Sequence, residues 1–450
     1  MKFPLPRPLF PPLHLTPEDA ATLESVAWFF VQETMAQYHE HRVTNSGVVD
    51  PRRWKKLKHR DDVHVYRDRT HMPSANSMAG MRPTTSSTSS IDFSDDSRAS
   101  ASATNAFKEE QHKRVPDMPV LLTVGTIQGT LDDVLYGFSN PTPEAMQIKT
   151  AYVGDGFVDW MLLTSLRKPS PENPFRELSM RWNIKGHPFL VGAVMRVRDN
   201  VYLESIGFTE TPEGERIGYT IQHSVELPEI RELEEMSIIR GKVSFCHLFR
   251  QKEDNVVELY VRGFVSAMGD APPALVAITA AEFMVSIWKN MHCAHMKKLA
   301  WMVRNSVGYS VMGDQERSLM TAQRQQQSCA ICTKPLRSIG LSRRLGMSSA
   351  NSTFAAKHCQ VCRQRVCSQC RMVHSIYFTS PHAQGRIVRE KLTFCTVCLQ
   401  RARDMDAKVV AVAEMEEAEH NFPRLYSSRT WTSSSLSMIP SEISFSLSEP

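Results

Sequence analysis

Cys329-Ala330-Ile331-Cys332, Cys359-Gln360-Val361-Cys362, Cys367-Ser368-Gln369-Cys370 and Cys395-Thr396-Val397-Cys398 hold eight of the ten cysteines in the chain. A Cys-x-x-Cys turn delivers two thiolates to one ion, and Zn²⁺ takes four ligands in a tetrahedron. Four such pairs therefore make two closed zinc sites. Disulfides or free core thiols are the other readings of clustered cysteines. Neither suits a chain in which nothing points to an oxidising compartment.

The basic charge gathers around the same cysteines. A net charge of +5 over 450 residues decides little by itself. From Arg317 to Arg389, however, there is no Asp or Glu. The same window carries Arg317, Arg324, Lys334, Arg337, Arg343, Arg344, Lys357, Arg363, Arg365, Arg371, Arg386 and Arg389. A positive field of this kind attracts anionic lipid or nucleic acid, or it offsets the negative charge of metal-thiolate centres. Stacking aromatics do not interleave with these arginines (Phe354, Tyr377, Phe378 and Phe394 stand apart), which argues against nucleic acid.

The length allows roughly two to three domains, and a hydrophobic fraction of 42% supports a core. Residues 1–15 are proline-rich, and Met1 to Pro12 lack the apolar run of a signal peptide. No apolar run is expected to span a bilayer. The expected location is the cytoplasm.

Thr16-Pro17-Glu18-Asp19 reads as a helix start. Leu23, Val26, Ala27, Phe30, Val31 and Tyr38 then recur at helical spacing. Val63-His64-Val65-Tyr66 alternates as a strand does. Residues 70–113 are too rich in Ser and Thr to bury a core and read as a disordered insertion, either a phosphorylation target or a plain flexible loop. Val120 to Gly129 is a strand; Leu131 to Phe138 and Thr142 to Thr150 are short helices. Strands follow at Glu177–Ile184, Leu190–Arg198, Val201–Phe208, Ile217–Val225, Ile238–Phe249 and Val256–Val265, with turns at Lys185-Gly186-His187-Pro188, Asp199-Asn200 and Pro212-Glu213-Gly214. One long helix, apolar nearly all round, spans about Pro272 to Val303. Its basic end, Lys297-Lys298, suits a helix C-terminus. His292, Cys293 and His295 on that helix lack partners for a metal site, and Cys246 and His247 point to opposite faces of a strand. No Ser/His/Asp or paired-carboxylate arrangement argues for catalysis.

A helix, a curved antiparallel sheet and a closing helix make a helix-grip, and the order resembles a START-type lipid-binding domain over residues 16–305. Arg53-Trp54-Lys55, Trp182-Asn183-Ile184-Lys185, Val197-Arg198-Asp199, Gly218-Tyr219, His223-Ser224-Val225 and Lys297-Lys298-Leu299 carry the likeness. It implies a tunnel for one hydrophobic lipid under the last helix. Arg196, Arg198, Asp199 and Glu204 are candidates for orienting that ligand, or else they form surface salt bridges.

Residues 325–402 resemble a FYVE-type zinc finger in the spacing of the four pairs and in Lys357-His358-Cys359. That resemblance implies a crossed ligand set. Cys329, Cys332, Cys367 and Cys370 would hold one zinc, and Cys359, Cys362, Cys395 and Cys398 the other. It also implies docking to phosphatidylinositol 3-phosphate on endosomes, with Lys357 and His358 the candidate headgroup contacts. The family's Trp-x-x-Asp is missing before Cys329, and its Arg-Val-Cys is Thr393-Phe394-Cys395 here. A RING-like ubiquitin ligase and a purely protein-interaction zinc module are the alternatives. The four-residue gap between Cys362 and Cys367 and the all-cysteine set argue against RING.

The sequence thus predicts an α+β chain. A START-like domain is followed by a 306–324 linker, the two-zinc finger, a short helix at 403–420 and a Ser-rich tail at 421–450. The expected function is non-enzymatic. One lobe holds a hydrophobic lipid, and the other docks to an anionic phosphoinositide membrane at the endosome or to a protein partner.

Overall fold

Thr16 starts helix α1 (Pro17–His39) with a reciprocal cap. Its hydroxyl accepts the Asp19 N–H, and the Asp19 carboxylate accepts the Thr16 N–H. Leu23, Val26, Ala27, Phe30, Val31 and Tyr38 are all buried, so the spacing seen in the sequence is the packed face. The structure is a computed structural model and describes residues 2–69, 119–186, 196–269, 271–306, 328–336, 358–379 and 387–421. The 70–113 insertion, the 306–324 linker (but for residue 306) and the tail after residue 421 lie outside these.

The strands are β1 (Trp54–Arg60), β2 (Val63–Asp68), β3 (Val120–Gln128), β4 (Phe157–Arg167), β5 (Glu177–Lys185), β6 (Arg198–Glu210), β7 (Arg216–Ser224), β8 (Ile239–Arg240), β9 (Lys242–Glu253) and β10 (Val256–Ser266). They form one sheet in the order β1-β2-β3-β10-β9-β7-β6-β5-β4, antiparallel throughout, with β8 adding a short parallel pairing to β6. Helices α2 (Leu131–Phe138) and α3 (Pro143–Val153) follow β3, each capped by a threonine, Thr130 and Thr142. After the sheet come α4 (Pro273–Val285) and α5 (Trp288–Arg304). The cysteine-rich segment, called the finger below, adds the hairpin β11 (Arg371–Thr379) and β12 (Ile387–Cys395), then α6 (Thr396–Asp404) and α7 (Ala407–Asn421).

Each face of the sheet carries its own core. Leu178, Met180, Trp182 and Ile184 of β5 point to the side covered by α1. Phe245 and Phe249 of β9 and Val257, Leu259 and Val261 of β10 point to the side gripped by α2, α4 and α5. Period-two alternation sorts them. Gly137 lets α2 lie against α5, since a Cβ there would sit 1.9 Å from the Asn290 carbonyl oxygen.

Several expectations are corrected. Asp199-Asn200 is not a turn: both residues are within β6, opposite Ile184 and Asn183. Of the expected Leu190–Arg198 strand, residues 190–195 lie outside the described residues. The Ile238–Phe249 run is divided at Gly241 into β8 and β9. β1 as a strand of its own, β4, β11 and β12 are not among the strands expected from the sequence.

The long closing helix is two helices, broken where the Ser286 and Ile287 amides bond only three residues back, to Phe283 and Met284. α4 is not buried all round, and Ile278 is 55% exposed. By length and composition alone the 32 residues Pro273–Arg304 could cross a membrane, contrary to expectation. In this fold they pack on the sheet, with Asn290 and Lys298 buried.

The proline-rich start belongs to the fold as well. Leu5, Leu9, Phe10 and Leu13 are buried in the α1-side core. Arg7 pairs with Asp159 at 2.5 Å, with side chains only 5% and 2% exposed. The Asp159 carboxylate also accepts the Leu5 N–H at 2.7 Å. Prolines remove amide donors but leave this strap free to bury its apolar side chains.

Candidate metal centre and buried polar cavity

The first two cysteine pairs sit on twin hairpins. Cys329 N–H donates to Lys334 O and Thr333 N–H to Cys329 O; likewise Cys359 N–H donates to Gln364 O and Arg363 N–H to Cys359 O. Thr333 and Arg363, each one residue past the second cysteine, take positive φ of 58° and 60°. The third pair follows the second hairpin, and the fourth opens α6, whose Cys398 amide donates to Cys395 Sγ at 3.3 Å. Two groups result. Cys329, Cys332, Cys367 and Cys370 form the first, and Cys359, Cys362, Cys395 and Cys398 the second.

The sulfur atoms of each group lie within 4.8 Å of one another. Cys332 and Cys367 Sγ are 3.7 Å apart, and Cys362 and Cys395 Sγ 3.9 Å. Four sulfurs about 2.3 Å from a central ion have tetrahedral edges of about 3.8 Å. A disulfide would need about 2.05 Å, and all ten cysteines are free. Desolvation pushes the Cys329 thiol up, but amide donors at Cys332, Cys367 and Ile331 outweigh it and bring it to about 6. Hydrogen bonds from the Cys362 and Cys398 thiols hold Cys359 well below the usual thiol range. An all-thiolate tetrahedron of this kind suits a soft-ligand ion such as zinc, so the donor set fits the group the sequence implied. Cys329, Cys332, Cys367 and Cys370 would hold one ion and the other four cysteines the second, each a closed structural site.

The candidate headgroup residues are less well placed. Lys357 lies outside the described residues. His358 is 9% exposed, and its backbone bridges to Arg365. Arg363 donates to Gln360 and Arg389 to Ser375, so these cations are spent on local bonds within the finger.

The finger does not stand apart from the sheet domain. Ile376, Phe378, Phe394 and Ala402 share a core with Met296, Leu299, Ala300, Met302 and Val303 of α5. The Tyr377 N–H donates to the Tyr152 hydroxyl of α3 at 3.0 Å. Ala407 and Val410 of α7 enter the core on the gripped face.

Inside the grip is a buried charged network. Arg181 of β5 lies 2.9 Å from Glu204 and 3.4 Å from Glu177, and it donates to the Asn140 carbonyl oxygen at 3.1 Å. Gln222 Nε2 donates to Glu204 at 3.1 Å. Burial pushes the Glu177 carboxyl up against the pull of Arg181. Burial also acts on Glu204, but Arg181, Lys149 and Gln222 prevail and lower it. One guanidinium thus serves two unlike carboxylates.

Beside this network is a cavity of about 30 Å³ under the α4–α5 break. Phe138, Val153, Phe283, Met284 and Ile287 line its apolar side; Lys149, Gln222, His247 and Asn290 line its polar side. Burial pushes the His247 imidazole down to about 4.

Of the four ligand-orienting candidates only Glu204 belongs to this interior. Asp199 is fully buried on the α1 side, where it accepts the Trp182 indole N–H at 2.7 Å and pairs with Arg240 at 2.9 Å. Arg198 is buried and donates to the carbonyls of Arg196, Ala267 and Met268. Arg196 is exposed. The surface salt-bridge reading is thereby corrected for Asp199 and Glu204. Sequence reading missed Arg181 and Glu177 because Glu177-Leu178-Ser179-Met180-Arg181-Trp182 alternates like a strand with one wet face, yet both faces are buried. His292, Cys293 and His295 belong to neither four-cysteine group; His295 lies 3.7 Å from Asp133. Cys246 packs in the α1-side core while His247 lines the cavity, as their adjacency on a strand requires.

No protein-family model matches the chain, and no curated protein matches it by sequence. Solved structures do resemble it. Human StAR-related lipid transfer protein 5 is 14% identical with a TM-score of 0.35, covering 62% of this chain and 97% of its own. The lipid transfer and protein localization domain of human StarD13 (DLC2) is 10% identical with a TM-score of 0.32, covering 63% and 98%. Human STARD10 is 11% identical with a TM-score of 0.32, covering 56% and 79%.

Proposed function

We propose that this chain is a non-enzymatic, zinc-stapled lipid-binding protein of START-like build. The observation that carries the reading is the cavity beneath the α4–α5 break. It is apolar toward the helices and polar toward Lys149, Gln222, His247 and Asn290, with Gln222 in turn hydrogen-bonded to Glu204 of the charged network. An amphiphile with a hydrogen-bonding end and an apolar body matches that gradient. At about 30 Å³ the space takes about two water molecules, whereas ligand pockets span roughly 300–1,000 Å³. Binding therefore requires α4 to swing outward. The break at Ser286–Ile287 supplies a hinge, and the outer face of α4, where Ile278 is exposed, is free of packing that would block an outward swing.

On this reading the finger is FYVE-type. Its basic window draws the protein to an anionic, phosphoinositide-bearing membrane such as the cytoplasmic face of the endosome. Because His358 is buried and the nearby arginines bond locally, attraction is by charge more than by a shaped headgroup pocket. The test is native mass spectrometry of the full-length chain. The expected species carries two zinc ions and one lipid. A chain that stays bare after incubation with mixed-lipid vesicles overturns the lipid reading. Pelleting with phosphatidylserine vesicles, with and without phosphatidylinositol 3-phosphate, then separates charge from headgroup recognition. Binding indifferent to salt and lipid charge excludes both.

A further inference from the structure

Lys298 is fully buried, and its ammonium has three donors. Nζ meets three acceptors: the Arg403 and Met405 carbonyl oxygens, each at 2.8 Å, and an Asp133 carboxylate oxygen at 2.7 Å. The two carbonyls are at the C-terminal end of α6, the negative end of its dipole. Asp133 belongs to α2, inside the grip. The N-terminal end of α6 is Cys395, whose sulfur caps the helix by accepting the Cys398 amide. Both belong to the second four-cysteine group. A single short helix therefore runs from the metal centre to the buried lysine that ties α5 to α2.

Further ties lie in parallel. The Tyr136 hydroxyl of α2 donates to Glu414 of α7 at 2.6 Å, and Arg304 of α5 donates to the same carboxylate at 2.8 Å. The apolar seam between α5 and β11, β12 and α6 completes the contact.

We infer that the second four-cysteine group and the closing helix α5 form one cooperative unit: metal held at Cys359, Cys362, Cys395 and Cys398 keeps α6 formed, and α6 locks α5 onto the grip. Without α6, Lys298 would keep one acceptor of three as a buried charge, a state that favours opening. The cysteine-rich segment is then a metal-dependent latch on the sheet domain. The first group, Cys329, Cys332, Cys367 and Cys370, does not contribute residues to α6 and meets it where the Thr396 amide donates to the Cys370 carbonyl oxygen at 3.2 Å. This inference rests on the metal reading but not on the lipid reading.

The test uses the full-length chain loaded with zinc, with ions counted by native mass spectrometry and backbone amides followed by hydrogen exchange. Removing the ions with a chelator is expected to raise exchange in residues 131–138 and 288–304 by roughly tenfold to a hundredfold. Exchange that rises only within 358–404 overturns the coupling. A chain that never takes up zinc overturns the metal reading instead, and the two failures are told apart by the ion count. The variant Lys298→Met should still load two ions yet exchange fast at 131–138 with zinc bound. Unchanged slow exchange there overturns the lysine as the link.

Discussion

Cys246 and Cys293 mark the contrast with the eight clustered cysteines. Both are buried, and burial pushes their thiols up to about 12 and about 11. With zinc bound, a thiol reagent should find no fast-reacting cysteine; after chelation the eight clustered ones should react while these two wait for unfolding. Ten fast thiols before chelation would defeat the prediction. His247 gives a pH test. Its ring titrates near 6.5 when unfolded and at about 4 in the fold, because burial disfavours the charged form. Its stabilising contribution is present above 6.5 and is lost as pH falls from there toward about 4. Between pH 7 and 5.5 His247 should account for a loss of about 1 kcal/mol. Urea denaturation of His247→Gln at the two pH values checks it, since the variant should lose less than the parent chain.

At the scale of elements, the N-terminal strap is the part whose importance the composition concealed. Phe10 packs edge-on against Trp182 with ring centroids 5.5 Å apart, and Arg7 lies 5.5 Å from the same ring. Phe10→Ala should cost about 3–4 kcal/mol, the usual range for emptying an aromatic site in a core. A shift of the urea midpoint at constant slope measures it. No shift would mean that the strap is detached in solution. The paired lysines illustrate another element-level effect. Lys297-Lys298 reads as a cap for its own helix, but Lys297 donates to Tyr136 and Ser139 carbonyls beside the α2 terminus, and Lys298 to those at the end of α6. The charges serve neighbouring helix ends that sequence spacing does not reveal.

At the scale of the whole molecule, the chain does not divide cleanly at residues 16 and 305. A 16–305 fragment would lose Leu5, Leu9, Phe10 and Leu13 from one core and Ala407 and Val410 from the other. It would also leave Asp159 without Arg7 and Lys298 without two of its acceptors. It should melt at least 10 °C below the full-length chain, or fail to fold, given about 2–4 °C per kcal/mol for a domain of this size. A thermal melt by circular dichroism decides this. An equally stable fragment would mean that strap and finger are only appended.

What the sequence determined by itself is the chemistry that depends on short spacing. Four Cys-x-x-Cys pairs can reach a metal through local hairpins, and the Thr16 cap and the apolar stripe of α1 follow from helical periodicity alone. The antiparallel strands were legible wherever alternation was undisturbed. Tertiary structure alone decided what depends on distant partners. It brought the third cysteine pair to the first and the fourth to the second, a grouping that the FYVE-type resemblance implied and that spacing by itself left open. It buried Arg181, Glu177 and Glu204 on a strand face whose polar residues looked solvated, and broke the closing helix at Ser286. It also laid the proline-rich strap and the last helix on opposite cores of one sheet. The reason is physical: burial and ion pairing belong to surfaces brought together from far along the chain, whereas caps, turns and ligand pairs are fixed within a few residues.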